Sequence, residues 1–354
     1  MANQTPNFLE KVKGFFKALS KQQLIAIIAA VVAVAVLIPV IILIPNGNNK
    51  PEETTPAETT PAETTPATTT PAETTPDNTP VEKNYTFAFA VDTSIGTTKV
   101  TNYVLALVTD ADGKIVAVRI DCAEIAPELE DGALVAKTGI LSKVEQGDSY
   151  GGDYPMSGGS WAKQTKAFED AIVGMTVEEA VAIDMTLVAG CTMPNSPVTF
   201  KELLAEAAAS ENKIQFTTAD PITVGVALDS YTKSGRGGKV QAFSEVAAVV
   251  FAGGKVVAAA IDSIEQGFVI TDGELEANEA LLSKAEMGDD YQKGGMNTSW
   301  QAQGLVFANA LIGLTADEVA AFEPVSDALA AAGCTLQWGA DYKAAVDKAV
   351  TNVR

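Results

Sequence analysis

An internal repeat dominates the sequence after residue 83. The stretch from Leu141 to Glu179 returns as Leu282 to Glu318, with the shared residues in the same order. Both copies contain Leu-Ser-Lys, then Gly-Asp-x-Tyr, then Trp-x-x-Gln, and then Phe, Gly, Thr and Glu in turn. A repeat unit of roughly 130 residues is long enough to bury a hydrophobic core of its own. The sequence therefore predicts two homologous domains of one fold, at residues 84–215 and 220–354.

Each copy begins with the pattern of β-strands. Apolar residues alternate with smaller or polar ones over residues 85–91 and again over residues 222–228. This alternation is typical of a strand that buries one of its faces. Residues 110–113 (Asp-Ala-Asp-Gly) and 252–254 (Ala-Gly-Gly) then separate pairs of apolar segments. Such glycine-containing breaks between apolar segments predict β-hairpins.

Helical patterns follow the hairpins in both copies. Residues 161–172 and 300–311 place a Trp, a Gln, a Phe and an aliphatic residue on one helical stripe. Thr-x-x-Glu at residues 176–179 and 315–318 has the spacing of a capping box, and a last amphipathic helix is predicted at 199–210 and at 341–351. Strands followed by helices, without alternation of the two, predict an α+β fold in which helices pack on one face of an antiparallel sheet.

The first 83 residues predict a membrane anchor and a spacer. Residues 1–23 carry four lysines, and residues 24–44 are apolar except for Pro39. A helix of this length matches the thickness of a bilayer, whereas the apolar region of a cleaved signal peptide is usually shorter. Residues 45–83 repeat Glu-Thr-Thr-Pro-Ala, a composition typical of a disordered stalk. We therefore expect a cytoplasmic tail, a single transmembrane signal anchor, a low-complexity linker and extracellular domains at the cell surface.

Composition excludes several classes of function. The net charge of -21 and the pI near 4.3 are unsuited to a nucleic-acid partner, since phosphate binding needs a basic surface. The chain has no histidine, so it lacks the usual general base and the commonest transition-metal ligand. Three cysteines fit neither a zinc cluster nor a disulfide scaffold. Cys122 and Cys191 either form a disulfide or remain free thiols. We predict no metal site. A non-enzymatic role is favoured over an enzymatic one.

A repeated glutamine is the most informative polar residue. Gln164 and Gln303 lie on helical stripes that are otherwise apolar, where an unpaired amide costs about 1–3 kcal/mol. Each glutamine is therefore expected either to bind the backbone of the Gly-Asp-x-Tyr loop or to face a ligand. Trp161 and Trp300, on the same stripes, are interpreted as core residues or as walls of a ligand site.

An aspartate is repeated in the Gly-Asp-x-Tyr segments. Asp148 and Asp289 are predicted to cap their loops or to pair with Lys143 and Lys284, with ligand binding as the alternative. An isolated carboxylate in each copy does not indicate acid-base catalysis.

A short turn before the last helix of each copy carries the one family resemblance. Ala-Gly-Cys-Thr at residues 189–192 and 332–335 resembles the motif of the FMN-binding domain family, extracytoplasmic flavin domains of electron-transfer complexes. The resemblance implies FMN as cofactor, with its phosphate esterified to Thr192 and Thr335 beside Gly190 and Gly333. A tight turn into a helix, with a small buried thiol, explains the same residues without a ligand. The Leu-Ser-Lys to Trp-x-x-Gln block also resembles uncharacterised surface proteins of anaerobic Gram-positive bacteria.

Two functions are consistent with these patterns. The first is a membrane-anchored extracellular protein that binds FMN and acts as a surface electron carrier, with Gln, Trp, Asp and the Gly-Cys-Thr turn around the flavin. The second is a non-enzymatic surface module that binds the cell wall or a protein partner, or that serves a structural role. Duplication on a long anchor favours the second, because linked modules gain effective concentration.

Overall fold

The computed structural model describes residues 80–354, apart from residues 97, 151–157, 194–195, 235–239, 272–273, 279–281, 293–295, 297 and 337–338. Residues 80–354 form one compact unit. No helix within this described part is long and apolar enough to span a membrane. The predicted tail, the predicted span at 24–44 and all but the last four residues of the predicted linker lie outside it.

The described residues contain ten strands. They are β1 (Lys83–Ile95), β2 (Val100–Asp110), β3 (Ile115–Ile125), β4 (Glu128–Glu130), β5 (Ala133–Val135), β6 (Ile214–Thr218), β7 (Ile222–Ser234), β8 (Val240–Ala252), β9 (Lys255–Thr271) and β10 (Glu274–Ala277). The α-helices of the same part are α1 (Lys143–Gln146), α2 (Trp161–Ile172), α3 (Val177–Ala182), α4 (Ser196–Ala209), α5 (Trp300–Asn309), α6 (Ala316–Ala320), α7 (Asp327–Ala331) and α8 (Gly339–Thr351).

Each repeat contributes one four-stranded antiparallel sheet. The first sheet has the strand order β3-β2-β1-β6, and the second has the order β10-β9-β8-β7. Val91 pairs with Val104 in the first sheet, and Leu228 pairs with Val246 in the second. The turn between β2 and β3 is a plain hairpin turn, in which Gly113 adopts a φ of 75° and donates its N–H to Asp110 O at 3.1 Å. The predicted mixed α+β class with antiparallel sheets is confirmed.

The two sheets pack against each other, and the helices cover their outer faces. The alternating side chains that predicted β1 and β7, among them Phe87, Val91, Val224 and Leu228, share one buried cluster between the sheets. On the opposite face of the first sheet, residues such as Leu105 pack with α2 and α4 in a second cluster. A matching cluster joins the outer face of the second sheet to α5 and α8. The order of layers is therefore helix, sheet, sheet, helix, and the two repeats share a core.

Buried polar residues mark the middle of the interface between the sheets. Asn102 and Ser244 occupy equivalent places in β2 and β8. Each lies two residues before a valine whose partner on the neighbouring strand is a buried aspartate. Asn102 Nδ2 donates to Ser244 Oγ at 2.9 Å. Each of the two also bonds a residue of its own repeat, Thr93 in the first and Ser230 in the second. Contact between equivalent residues indicates that an approximate two-fold axis relates the repeats at this point.

Side-chain caps begin the helices that carry the repeated residues. Ser160 and Ser299 cap α2 and α5. The predicted capping boxes at residues 176–179 and 315–318 are both present at the starts of α3 and α6. These caps satisfy backbone N–H groups that have no partner within the helix, which explains why the sequence begins each helix where it does.

Candidate functional site

Gln164 joins the start of α2 to the Gly-Cys-Thr turn. The residue is fully buried, and its Nε2 donates to Gly159 O at 2.8 Å. Its Oε1 accepts the backbone N–H of Thr192 at 2.6 Å and the hydroxyl of Thr192 at 3.0 Å. The amide is therefore satisfied inside the protein, and the backbone that it holds is the loop before its own helix rather than the Gly-Asp-x-Tyr segment.

Gln303 makes the same connection in the second repeat. Its Nε2 donates to Thr298 O at 3.1 Å, and its Oε1 accepts from the backbone N–H and the hydroxyl of Thr335 at 2.8 and 3.1 Å. The structure thus brings together the glutamine and the threonine that the sequence singles out in each copy. In both copies the glutamine bonds directly to the threonine.

The Gly-Cys-Thr turns have the backbone that glycine favours. Gly190 and Gly333 have φ values of 82° and 102°, in the region that is strained for other residues. Thr192 and Thr335 follow on the surface and are exposed. The hydroxyl of Thr192 also accepts the N–H of Gly158 at 3.1 Å, so this atom holds two loops together.

The two tryptophans belong to the hydrophobic cores. Trp161 and Trp300 are each 2% exposed. Trp161 meets Phe200 edge to face at 5.9 Å between ring centres, and Trp300 Nε1 donates to Tyr342 OH at 2.8 Å. Both rings are buried between helices and sheet, where they pack on protein rather than line an open site.

The repeated aspartates lie on exposed 3-10 turns, Gly147–Ser149 and Gly288–Asp290. Asp148 accepts from Ser160 Oγ at 2.9 Å and from Lys163 Nζ at 2.8 Å. It therefore ties its loop to the start of α2 through two side-chain contacts. The alternative pairing with Lys143 is wrong, because that lysine points into the protein and binds another acid.

A buried lysine with a glutamate and a tyrosine is the feature that the sequence did not reveal. Lys143 Nζ lies 2.8 Å from Glu124 Oε1, and Tyr150 OH donates to the same oxygen at 3.0 Å. Lys143 is only 7% exposed. Although burial alone would raise it, the ammonium groups of Lys143 and Lys99 together lower the pKa of Glu124 to about 2. The pair therefore stays ionised at neutral pH.

The second repeat contains the same arrangement. Lys284 Nζ lies 2.9 Å from Glu265 Oε1, which also accepts from Tyr291 OH at 3.2 Å. The pairing of Lys284 with Asp289 is thus wrong as well. Glu124 and Glu265 are separated by the same 141 positions as the two lysines. An extension of the repeat comparison into β3 and β9 would therefore have found them.

A buried aspartate holds the Leu-Ser-Lys segment of each copy. Asp121 accepts from Ser142 Oγ at 2.6 Å and from the backbone N–H groups of Cys122 and Val144 at 2.7 and 3.1 Å. Burial outweighs these three hydrogen bonds and raises the pKa of Asp121 to about 7. Asp262 accepts the equivalent backbone bonds in the second copy, and burial raises its pKa to about 7 too. Both carboxyl groups titrate near neutral pH.

The repeats differ at one buried position beside the lysine. The place of Tyr103 in β2 is taken in β8 by Glu245, which is 2% exposed. Its Oε1 accepts from Tyr231 OH at 3.1 Å, whereas its Oε2 has no hydrogen-bond partner. Burial raises the pKa of Glu245, and the nearby ammonium of Lys284 opposes that rise. The second repeat therefore encloses an additional carboxyl group.

The cysteines are free, buried thiols. This holds for Cys122, Cys191 and Cys334, so the disulfide considered from the sequence is not formed. Burial raises the pKa of the thiols of Cys122 and Cys334, which makes them poor nucleophiles at neutral pH. Among the described residues, no group of three or more side chains is arranged to hold a metal ion.

An open groove of about 260 Å³ lies beside the turn between β8 and β9. Its lining includes Pro221, Thr223, Phe251, Gly253 and Val353. Pockets that enclose small molecules usually have volumes of roughly 300–1,000 Å³. The residues predicted to bind flavin do not line this groove. Comparison with protein-family models, with curated proteins and with solved structures gives no match for this chain.

Proposed function

We propose that this chain is a non-enzymatic surface module, in which a rigid head of two repeats stands on a membrane-anchored stalk and binds the cell wall or a protein partner. One observation supports this most strongly: the polar residues shared by the two copies hold the fold together. The Gln–Thr contact, the Asp–Ser cap and the Lys–Glu–Tyr group recur in both repeats with partners inside the protein. Residues retained in both copies thus serve the scaffold.

The buried polar atoms that lack a hydrogen-bond partner also support a scaffold role for the shared residues. In the described residues they are Arg119 Nε, Thr165 Oγ1, Glu245 Oε2 and Ser263 Oγ. None of these residues is among those that the two copies share. A binding function is therefore expected on the outer surface, where the copies diverge, rather than at a site repeated within each copy.

The shared core changes how such binding should be tested. Because each sheet buries one face against the other sheet, a single repeat in isolation would expose a large apolar surface. The affinity of an isolated repeat therefore cannot be compared with the affinity of the pair. The head, residues 80–354, is therefore the unit to use, since it forms a compact unit with its own cores.

The test is a sedimentation assay of the head with isolated cell-wall material. We expect the head to co-sediment in proportion to the amount of wall and to be displaced by soluble wall fragments. The heat-unfolded head serves as the matched control for adsorption of an acidic chain. Recovery of all of the folded head in the supernatant, from wall material and from surface extracts alike, would contradict the proposal.

FMN binding is the second candidate, and the exposure of Thr192 and Thr335 favours it. A phosphoester at Thr192 would replace the hydroxyl hydrogen that is donated to Gln164 Oε1, while the backbone bond to the same oxygen would remain. Against it, both tryptophans are buried and both glutamines bond to the threonine of their own repeat. Expression of the head with FMN and a flavin-attaching enzyme, followed by intact mass and a visible spectrum, tests this candidate. A colourless head of unmodified mass would remove covalent attachment.

A further inference from the structure

The edge strand of the second sheet lacks a neighbour that its counterpart in the first sheet has. In the first sheet, β6 pairs with the start of β1, so that Ile214 lies opposite Phe87 and Phe216 lies opposite Tyr85. In the second sheet, β7 pairs with β8 and has an isolated bridge at Ser230. Among the ten described strands, none takes the place beside β7 that β6 takes beside β1.

The pairing at which β6 begins nevertheless has a counterpart in the second repeat. Val91 and Leu228 are equivalent, because each pairs with the valine that lies opposite a buried aspartate. Phe87 and Val224, four residues earlier in each strand, are therefore equivalent as well. Val224 exchanges two backbone hydrogen bonds with Arg354, at 3.2 and 3.3 Å. This pair corresponds to the one that Phe87 makes with the first residue of β6.

The backbone of β7 continues this edge at Ile222. In an antiparallel ladder, the N–H and C=O groups of every second residue point to the same side of the strand. Since Val224 bonds to Arg354 on the side away from β8, the N–H and C=O of Ile222 point to that side too. Tyr85, the equivalent of Ile222, pairs there with Phe216 of β6, whereas no segment within the described residues pairs with Ile222 on this side.

The open groove described above lies at the same place. Pro221 and Thr223, the two neighbours of Ile222 in the chain, both line it, together with Phe251 of β8 and Val353, just after α8. Side chains of a strand alternate between its two faces. The residues on either side of the one paired with Ile222 would therefore direct their side chains into the groove.

The corresponding place in the first repeat is filled and polar. Thr217 of β6 lies opposite Asn84, the equivalent of Pro221, and Thr217 Oγ1 donates to Asn84 Oδ1 at 2.8 Å. Phe251 stands where the first repeat has Thr109, since each follows the register shift in its strand. The groove of the second repeat is therefore suited to apolar side chains, which the first repeat does not place at this edge.

We propose that the edge of β7 at Ile222, with the adjoining groove, binds an extended segment of a partner protein, which adds a strand beside β7 as β6 does beside β1. This inference rests on the binding role proposed above and identifies the kind of partner. Each of the ten described strands is already paired in a sheet, so the described part of a second copy has no spare strand to donate.

The strand that fills the equivalent place indicates the chemistry of this segment. Backbone hydrogen bonds to the edge give an added strand its affinity, and pockets for alternate side chains give it specificity. The segment is therefore expected to be extended, with apolar residues on both sides of the one that pairs with Ile222. Because the chain has a net charge of -21, an uncharged or basic segment is favoured over an acidic one.

NMR titration of the head, residues 80–354, with synthetic peptides tests the proposal. The first probe is the peptide of residues 213–219, KIQFTTA, which contains β6, and we expect it to shift the amide signals of residues 221–224 with a dissociation constant of about 0.1–1 mM. Its Gln215→Val form places an apolar side chain over the groove and should bind about fivefold more tightly. Its Phe216→Pro form lacks the N–H that would bond to Ile222 and should not bind.

Two variants of the head test the acceptor edge itself. Ile222→Pro removes the N–H that points away from β8, and proline is tolerated at such a position of an edge strand. The variant should therefore fold, as checked by circular dichroism, and its affinity for the peptides should fall at least about tenfold. The matched control is Ile222→Val, which keeps the N–H and should bind the peptides as the unchanged head does.

Failure of this inference can be told apart from failure of the binding role. A head that binds neither KIQFTTA nor its Gln215→Val form over this concentration range, yet still sediments with cell-wall material, overturns the strand site and leaves the binding role intact. Peptide binding that Ile222→Pro leaves unchanged, or that shifts signals away from residues 221–224, overturns the strand site too. A head that binds the peptides at this edge but no wall material supports the strand site alone.

Discussion

Replacement of Gln164 by alanine is the sharpest test of the scaffold role. The change removes three hydrogen bonds, to Gly159 O and to the N–H and hydroxyl of Thr192. A buried group that loses its partner costs about 1–3 kcal/mol, and the missing side-chain atoms leave a small cavity in a site that is fully buried. We therefore expect the free energy of unfolding to fall by about 3 kcal/mol, with a similar loss for Gln303→Ala.

Urea denaturation followed by tryptophan fluorescence measures this loss. Gln301→Ala, at a half-buried position of the same helix as Gln303, is the matched control and should change stability by less than about 0.5 kcal/mol. Gln164→Glu keeps the accepting oxygen but loses the donor to Gly159, so it should destabilise the head at neutral pH and recover partly in acid, where the introduced carboxyl can donate. A loss below about 0.5 kcal/mol for Gln164→Ala, within the range of the control, would refute the scaffold role.

Three further predictions follow from the buried ionisable groups. The pKa of Asp121 and Asp262 is about 7 in the folded head, against 3.8 for an unperturbed aspartate. Because the folded state binds the proton more tightly than the unfolded state, the free energy of unfolding should rise as the pH falls from 8 to 5, by up to about 3 kcal/mol for each aspartate. Asp121→Asn should flatten this pH dependence, as measured by thermal unfolding. Lys143→Met removes the buried cation of Glu124, which keeps only the exposed Lys99 at 3.0 Å, and should cost about 1–3 kcal/mol by urea denaturation, whereas Lys163→Met, which breaks an exposed pair, should cost under about 1 kcal/mol. Alkylation with iodoacetamide should label no cysteine of the folded head and all three after denaturation, as read by intact mass; rapid labelling of the native protein would contradict the burial of Cys122, Cys191 and Cys334.

Local features of the fold could be predicted from the sequence because they depend on neighbours along the chain. The capping boxes at 176–179 and 315–318, the turn at Gly113 and the stripe that begins at Trp161 all require residues within a few positions of each other. The packing of sheet on sheet could not be predicted in this way. Alternation in β1 and β7 shows that one face of each strand is apolar, but it does not say what covers that face.

The lysine of the Leu-Ser-Lys segment shows where sequence reasoning fails at the site. Asp148 is close to Lys143 along the chain, which makes it the partner that the sequence predicts, yet Lys143 binds Glu124 on β3. That contact depends on how α1 packs against the sheet, which no short-range pattern records. Glu124 lies opposite Thr101 in the antiparallel pairing of β2 and β3, so the register of these strands fixes the direction of its side chain. The site could be found only by extending the repeat comparison into the strands.

Hydrogen exchange of the head under native conditions tests most directly whether the two repeats are one body. The slowest-exchanging amides of β2 and β8, which face each other across the shared core, should open with the same free energy, and that value should equal the free energy of global unfolding. Arg354 and Asn352 should join that unit in part, because they bind Glu169 and Arg119 of the first repeat. Opening of one repeat at a clearly lower free energy, while the other stays protected, would contradict a shared core and a rigid head.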